Sequence, residues 1–95
     1  MILGKVVGTV VCSTTQIGID GAVCLLIEKC NQAGKTQGDF LVALDLVGAG
    51  RDEMVMIAES SAARETPATF NKAVDAVVVG IIDLIDENEK TVYKK

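Results

Sequence analysis

Residues 45–64 read DLVGAGRDEMVMIAESSAAR and gather residue types that do chemistry elsewhere. Gly48, Ala49 and Gly50 are followed by Arg51, Asp52 and Glu53, an apolar stretch, two serines and Arg64. Three chemistries are open to such a run: a phosphate cradle, a serine nucleophile and an acid pair. A phosphate loop leads into a helix whose first N–H groups help hold the anion. Here the loop leads into a strand, no P-loop lysine follows, and Asp52 and Glu53 repel phosphate. Consecutive strand residues point to opposite faces, so those two acids do not share a site simply. Nothing in the spacing of Asp45, Glu53, Asp75 and Asp83 requires them to converge. The serines have no general base, because the chain contains no histidine. That absence also removes the usual zinc sites and the histidine-dependent triads. Ser60 or Ser61 suits a helix cap better than a nucleophile. No catalytic residue, metal ligand or cofactor site is therefore assigned. What remains is architecture, a tight connection in which glycine reaches positive φ or lets neighbouring chains approach. The alternative is a small ligand-binding module that recognises an anion or polar molecule at residues 48–53.

The rest of the chain limits what this loop can serve. A chain of 95 residues is one small domain. At this size folding buries only about 60–65% of the surface that the unfolded chain exposes. Yet 49% of the residues are hydrophobic, and only 3% are aromatic, namely Phe40, Phe70 and Tyr93. The apolar mass is Val, Ile, Leu and Ala, which favours close-packed β structure and subunit contacts over a ring-lined cavity. Net charge is −4, with no lysine or arginine cluster. Such a chain is a poor partner for nucleic acid or an anionic membrane, and three aromatics are few for stacking single-stranded bases. No segment approaches the ~18 apolar residues of a spanning helix. Residues 1–15 are apolar, but Gly4, Lys5 and Gly8 interrupt them and no basic start precedes them, unlike a signal peptide. Cys12, Cys24 and Cys30 match no zinc or redox spacing. They read as small buried hydrophobes in a reducing cytoplasm.

The elements that must position the loop follow from periodicity. Residues 2–14 alternate, with Ile2, Gly4, Val6, Gly8, Val10 and Cys12 on one small or apolar face. Glycines there permit sharp coiling or close backbone approach. Asp20 and Gly21 read as a turn, residues 22–30 as a second strand and NQAGKTQG as a polar loop. Residues 39–47 predict a third strand with Phe40, Val42, Leu44 and Leu46 on one face, and residues 53–59 a fourth. SSAARE then predicts a short capped helix, with Pro67 as its stop. Residues 76–86 form a strongly β-branched strand, and ENEK turns into a last short strand ending at Tyr93. Five or six short strands and one small helix make a single, partly open Greek-key barrel. In residues 22–27, 54–58 and 76–82 both strand faces are apolar. A domain this small covers one side of its sheet, so the other side calls for a partner.

Three blocks, LGKVVGTVV, VALDLVGAGRDEMVMIAESSAAR and VDAVVVGIID, stand in order along residues 2–86. Together they resemble the pentameric vertex proteins of bacterial microcompartment shells, relatives of the ethanolamine-utilisation and carboxysome vertex subunits. The central pattern of that family is Gly-Ala-Gly-x-Gly-Glu, an apolar strand, then Gly-Ser-Ser-Ala-Arg. Gly48, Ala49, Gly50, Glu53, Ser61, Ala63 and Arg64 keep it. Asp52 and Ser60 stand where glycines are usual, Ala62 replaces the second serine, and Ala73 stands where a proline usually precedes Val-Asp. The resemblance implies a mainly β protein, an OB-like five-stranded β-barrel with one short helix, in a single domain over residues 1–95. It implies a cyclic homopentamer at the five-fold corners of a cytoplasmic polyhedral shell otherwise tiled by hexameric shell proteins. No enzymatic activity and no cofactor come with it. By the same resemblance Gly48, Ala49, Gly50, Arg51, Asp52, Glu53, Ser61 and Arg64 lie near the five-fold axis or a subunit interface.

Overall fold

The computed structural model describes residues 1–11, 23–59, 62–63, 65–66 and 75–95. Five strands close a barrel: β1 (Ile2–Val10), β2 (Cys24–Cys30), β3 (Thr36–Asp45), β4 (Met54–Glu59) and β5 (Ala76–Ile81). Their order around the wall is β1-β2-β3-β5-β4, and β4 pairs back onto β1. Every pairing is antiparallel except β3 with β5, where Leu44 faces Val77 and Asp45 faces Val78 in parallel. This is the five-stranded Greek-key barrel expected from the short, β-branched strands, but closed by the β4–β1 pairing rather than partly open. Closing so few strands demands strong curvature. Register shifts supply it between Val6 and Gly8, between Glu28 and Cys30 and between Met56 and Ile57.

The barrel interior is filled by Val6, Leu25, Ile27, Ala43, Val55, Ile57 and Val78. A second cluster of Leu44, Ala58, Ala63 and Val77 lies apart from it, so the Ala63 turn covers the outer wall of β3, β4 and β5. Burying each large aliphatic side chain contributes about 1.5–3 kcal/mol, so these two clusters carry the fold. Gly4 is the close-approach glycine of β1. A Cβ there would overlap Ile27 Cγ2 and sit 3.3 Å from Ile57 Cδ1.

Several sequence expectations change. Strand β1 ends at Val10, and Cys12, the Asp20–Gly21 turn and Phe70 lie outside the described residues. Strand β3 begins at Thr36, so the end of the polar NQAGKTQG segment is ladder rather than loop. Asn31 organises the shortened loop, its Oδ1 accepting the N–H groups of Ala33 and Lys35, both at 3.0 Å. The β-branched run of residues 76–86 is two strands. Ile82 N–H still reaches Met54 O at 2.8 Å, after which the chain leaves the barrel and forms β6 (Leu84–Glu87) and β7 (Lys90–Lys94). This separate hairpin turns at Asn88 and Glu89, with φ of 54° and 65°, the two left-handed residues of a type I′ turn. Of the expected helix, Ala62 and Ala63 form a 3₁₀ turn, with Glu65 N–H on Ala62 O at 3.3 Å. Its Ser60, Ser61 and Arg64 lie outside the described residues.

The two-sided apolar pattern of β4 also resolves differently from expectation. Met54, Val55, Ile57 and Ala58 are all buried within the single chain. Val55 and Ile57 lie in the barrel, the Ala63 turn covers Ala58 on the outer face, and of that face only Met56 stays half-buried.

Candidate functional site

The loop from β3 to β4 is held by two carboxylates of the chain itself. Asp45 closes β3, and its Oδ1 accepts the N–H groups of Val47 at 3.1 Å, Gly48 at 3.0 Å and Ala49 at 3.3 Å. Glu53 closes the other side. Its Oε1 accepts Gly50 N–H at 2.5 Å, while Glu53 N–H donates to Gly50 O at 3.2 Å. The loop is then stitched to β1, with Asp52 N–H on Val6 O at 2.8 Å and Val6 N–H on Glu53 O at 3.0 Å. Successive N–H groups that would make an anion cradle are thus filled from within.

Backbone conformation separates the residues that the sequence grouped. Gly48 has φ of 73°, and a Cβ there would meet nothing of its own chain within 4 Å. Gly50 is not left-handed, and a Cβ there would stand 3.2 Å from Glu53 Oε1. The second left-handed residue is Asp52, with φ of 69°. It is the third residue of a turn whose first N–H-accepting carbonyl is Gly50, the turn position that favours glycine. Glycine is usual at this place in the pattern quoted above, so Asp52 accepts backbone strain that glycine would not.

Glu53 also ties the end of the chain to the loop. Lys95 Nζ lies 2.6 Å from its Oε2, and Lys95 N–H donates to Asp83 O at 2.9 Å. The Lys95 hydrogen bond, helped by the Gly50 N–H, holds the Glu53 carboxyl below the usual carboxylate range. In return Glu53 pushes the Lys95 ammonium up. Both groups are in contact with solvent, so this is a tether and not a buried charge pair. Arg51 and Asp52 are exposed. Arg51 lines a groove of ≈ 370 Å³ with Val6, Val7, Thr9, Leu25 and Ala49, alongside the bulge of β1. Cys24 and Cys30 are free, and burial pushes the Cys30 thiol up, which keeps it protonated.

The structure therefore brings Gly48, Ala49, Gly50, Arg51, Asp52 and Glu53 into one rigid connection, whereas Ser61 and Arg64 lie outside the described residues. Sequence reasoning missed Asp45 and Lys95 as its partners. An aspartate two to four residues ahead of a glycine-rich turn is the signal for the first; the second, 42 places along the chain from Glu53, leaves no local signal. No nucleophile and base meet in this loop, and its polar groups hold the chain in place.

Comparison with known proteins agrees along the whole chain. The family model described as ethanolamine utilisation protein EutN/carboxysome matches residues 1–83. The carboxysome shell vertex protein CcmL of Gloeobacter violaceus is 40% identical over 95 residues, covering 100% of this chain and 95% of the relative. The solved structure of Gloeobacter violaceus CcmL superposes with a TM-score of 0.93, covering 100% of this chain and 98% of that one. The GrpN pentameric microcompartment shell protein from Rhodospirillum rubrum superposes with a TM-score of 0.82 at 34% identity, covering 92% and 99%.

Proposed function

The chain belongs to the EutN/carboxysome family, and from that membership we propose that it is a structural subunit of a bacterial microcompartment shell. Five copies form the vertex that closes a polyhedral corner, and the assembly resides in the cytoplasm. The observation that carries this is the match to CcmL over 100% of this chain in both sequence and backbone. The local chemistry supports it. A loop whose N–H groups are held by Asp45 and Glu53 is built to keep its shape rather than to capture an anion. The anion-binding alternative at residues 48–53 is correspondingly disfavoured.

Further parts of the proposal follow from the same role. The protein is not an enzyme and carries no cofactor; the whole of residues 1–95 serves as one vertex domain. Its partners are four further copies and the hexameric shell proteins that surround a corner. Gly48, Ala49, Gly50, Arg51, Asp52, Glu53, Ser61 and Arg64 line the five-fold axis or a seam between copies. Native mass spectrometry of the purified chain tests the central claim, with a five-chain ring expected at micromolar concentration. Monomers or dimers alone across a broad concentration range would refute it. Coexpression with hexameric shell proteins tests the partners. Closed shells are expected with this chain and elongated or open ones without it, because hexagonal tiling alone does not close a polyhedron.

A further inference from the structure

Most of the barrel wall follows the rule of apolar inside and polar outside, but past Asp39 strand β3 is apolar on both faces. Leu41 and Ala43 face the barrel core, and Phe40 and Val42 face away from it. Phe40 is 52% exposed and Val42 48% exposed, while the next residue on the inner side, Ala43, is 1% exposed. The other large exposed hydrophobics lie at Met1, on either side of the undescribed residues 12–22, in the glycine loop or in the hairpin. Among the described residues, only Phe40 and Val42 stand on the barrel strands themselves.

The surroundings of this pair say what covers it. Leu26 of β2 is paired with Val42, and Gly8 of β1 is paired with Leu26, so a small and apolar row runs across three strands. At its upper end the row continues into Leu44, already buried by Ala58, Ala63 and Val77. The charged neighbour opposite Phe40 is Glu28, whose Oε2 is occupied by Gly38 N–H at 3.1 Å. Lys29 lies 3.6 Å from Asp39. Lys5 stands beyond Glu28 in the cross-strand row of Phe40, so this edge of the wall carries a cation and an anion side by side. An apolar wall with charges of both signs along one edge suits a protein interface better than an anionic lipid surface.

We propose that the outer wall of β2 and β3, centred on Leu26, Phe40 and Val42, is one side of the seam between copies of this chain. The proposal rests on the vertex reading and extends it by assigning the seam. A five-membered ring is a head-to-tail assembly, so each copy offers this wall to a different surface of the next copy, never to the same wall. Phe40, the large aromatic of the patch, is its anchor.

The test joins a footprint of the unaltered protein to one variant. Hydroxyl-radical labelling is carried out at a concentration where native mass spectrometry finds rings. Normalised to intrinsic reactivity, Phe40 should be labelled within about twofold of fully buried Met54, as expected for the dry core of an interface. In the variant Val42→Asp, a charge on this wall should raise the concentration needed for rings by about tenfold or more, with the circular dichroism of the barrel unchanged. Wild-type rings in which Phe40 is labelled like a half-exposed residue would overturn the seam assignment and leave the vertex reading standing. So would a folded Val42→Asp protein with a wild-type dissociation profile. Absence of rings in the wild type would instead sink the vertex reading on which the seam rests.

Discussion

Asp52 shows how a single residue records a choice of backbone over side chain. At φ of 69° it occupies a region where an L residue is strained and glycine is not. Asp52→Gly should therefore stabilise the chain by up to about 1 kcal/mol, because the relief of strain exceeds the added unfolded-state entropy. Asp52→Val should destabilise it by about 1–2 kcal/mol, since a β-branched residue tolerates this region least. Urea midpoints at one fixed protein concentration measure both. The neighbouring tether gives a pH dependence. Glu53 is depressed, so its contribution is present above its unfolded pKa and is lost as pH falls through the lower, folded value. Lys95 is raised, so its contribution is present below its unfolded pKa and is lost as pH rises through the higher, folded value. Between these limits the tether is whole. The Gly50 amide resonance should titrate with a midpoint below the ordinary glutamate value of about 4.3, and Glu53→Gln should abolish that transition. A midpoint at or above the ordinary value would mean that Lys95 and Gly50 do not engage the carboxylate in solution. At this scale the sequence was partly legible. The glycine run announces a tight turn, but which residue goes left-handed depends on how Asp45 and Glu53 divide the loop's N–H groups between them.

At the scale of elements, periodicity located the five barrel strands and β7 but not β6, and the errors lie where a strand ends or bends. The β-branched run of residues 76–86 reads as one strand because its pattern continues through Ile82; only the end of the β4–β5 ladder makes it two. The bulge after Val6 similarly ends the strict alternation expected along β1. Glycine roles are clearer. Gly4 lies against Ile27, Ile57 and the Glu28 carbonyl at the tightest crossing of the barrel. Gly4→Ala should cost about 1–3 kcal/mol, the range for forcing a methyl into a packed core. Gly8→Ala should be mild by comparison, since its Cβ would find only Leu26 Cβ, at 3.9 Å. Thermal unfolding of the pair at equal concentration makes the comparison. The β6–β7 hairpin carries the opposite lesson. Its ENEK turn was legible as a turn, but Glu89 at φ of 65° occupies a place where glycine follows asparagine in the favoured form. Glu89→Gly should protect the hairpin amides from hydrogen exchange several-fold more than in the wild type, with the barrel amides unchanged.

For the whole molecule, the apolar pattern warned of a surplus of apolar surface and located it on β2, β4 and β5, leaving out β3. Strand β4 is one of those with two apolar faces, yet the 3₁₀ turn covers Ala58 on its outer face and only Met56 there stays half-buried. The uncovered surface is instead the outer wall of β3, where the alternation itself is unremarkable and only the barrel decides which side is in. A periodic pattern specifies that two faces differ; closure of the barrel specifies which one remains outside. The thermodynamic consequence is testable without any variant. A ring binds the folded protomer and not the unfolded chain, so assembly adds stability by mass action. The unfolding midpoint should therefore rise steadily with protein concentration, and the rise should flatten in Val42→Asp if that wall is the seam. Differential scanning calorimetry over a hundredfold concentration range gives the slope. A midpoint independent of concentration in the wild type would mean that the isolated barrel is as stable as its assembly, and the exposed wall of β3 would then have no partner among its own copies.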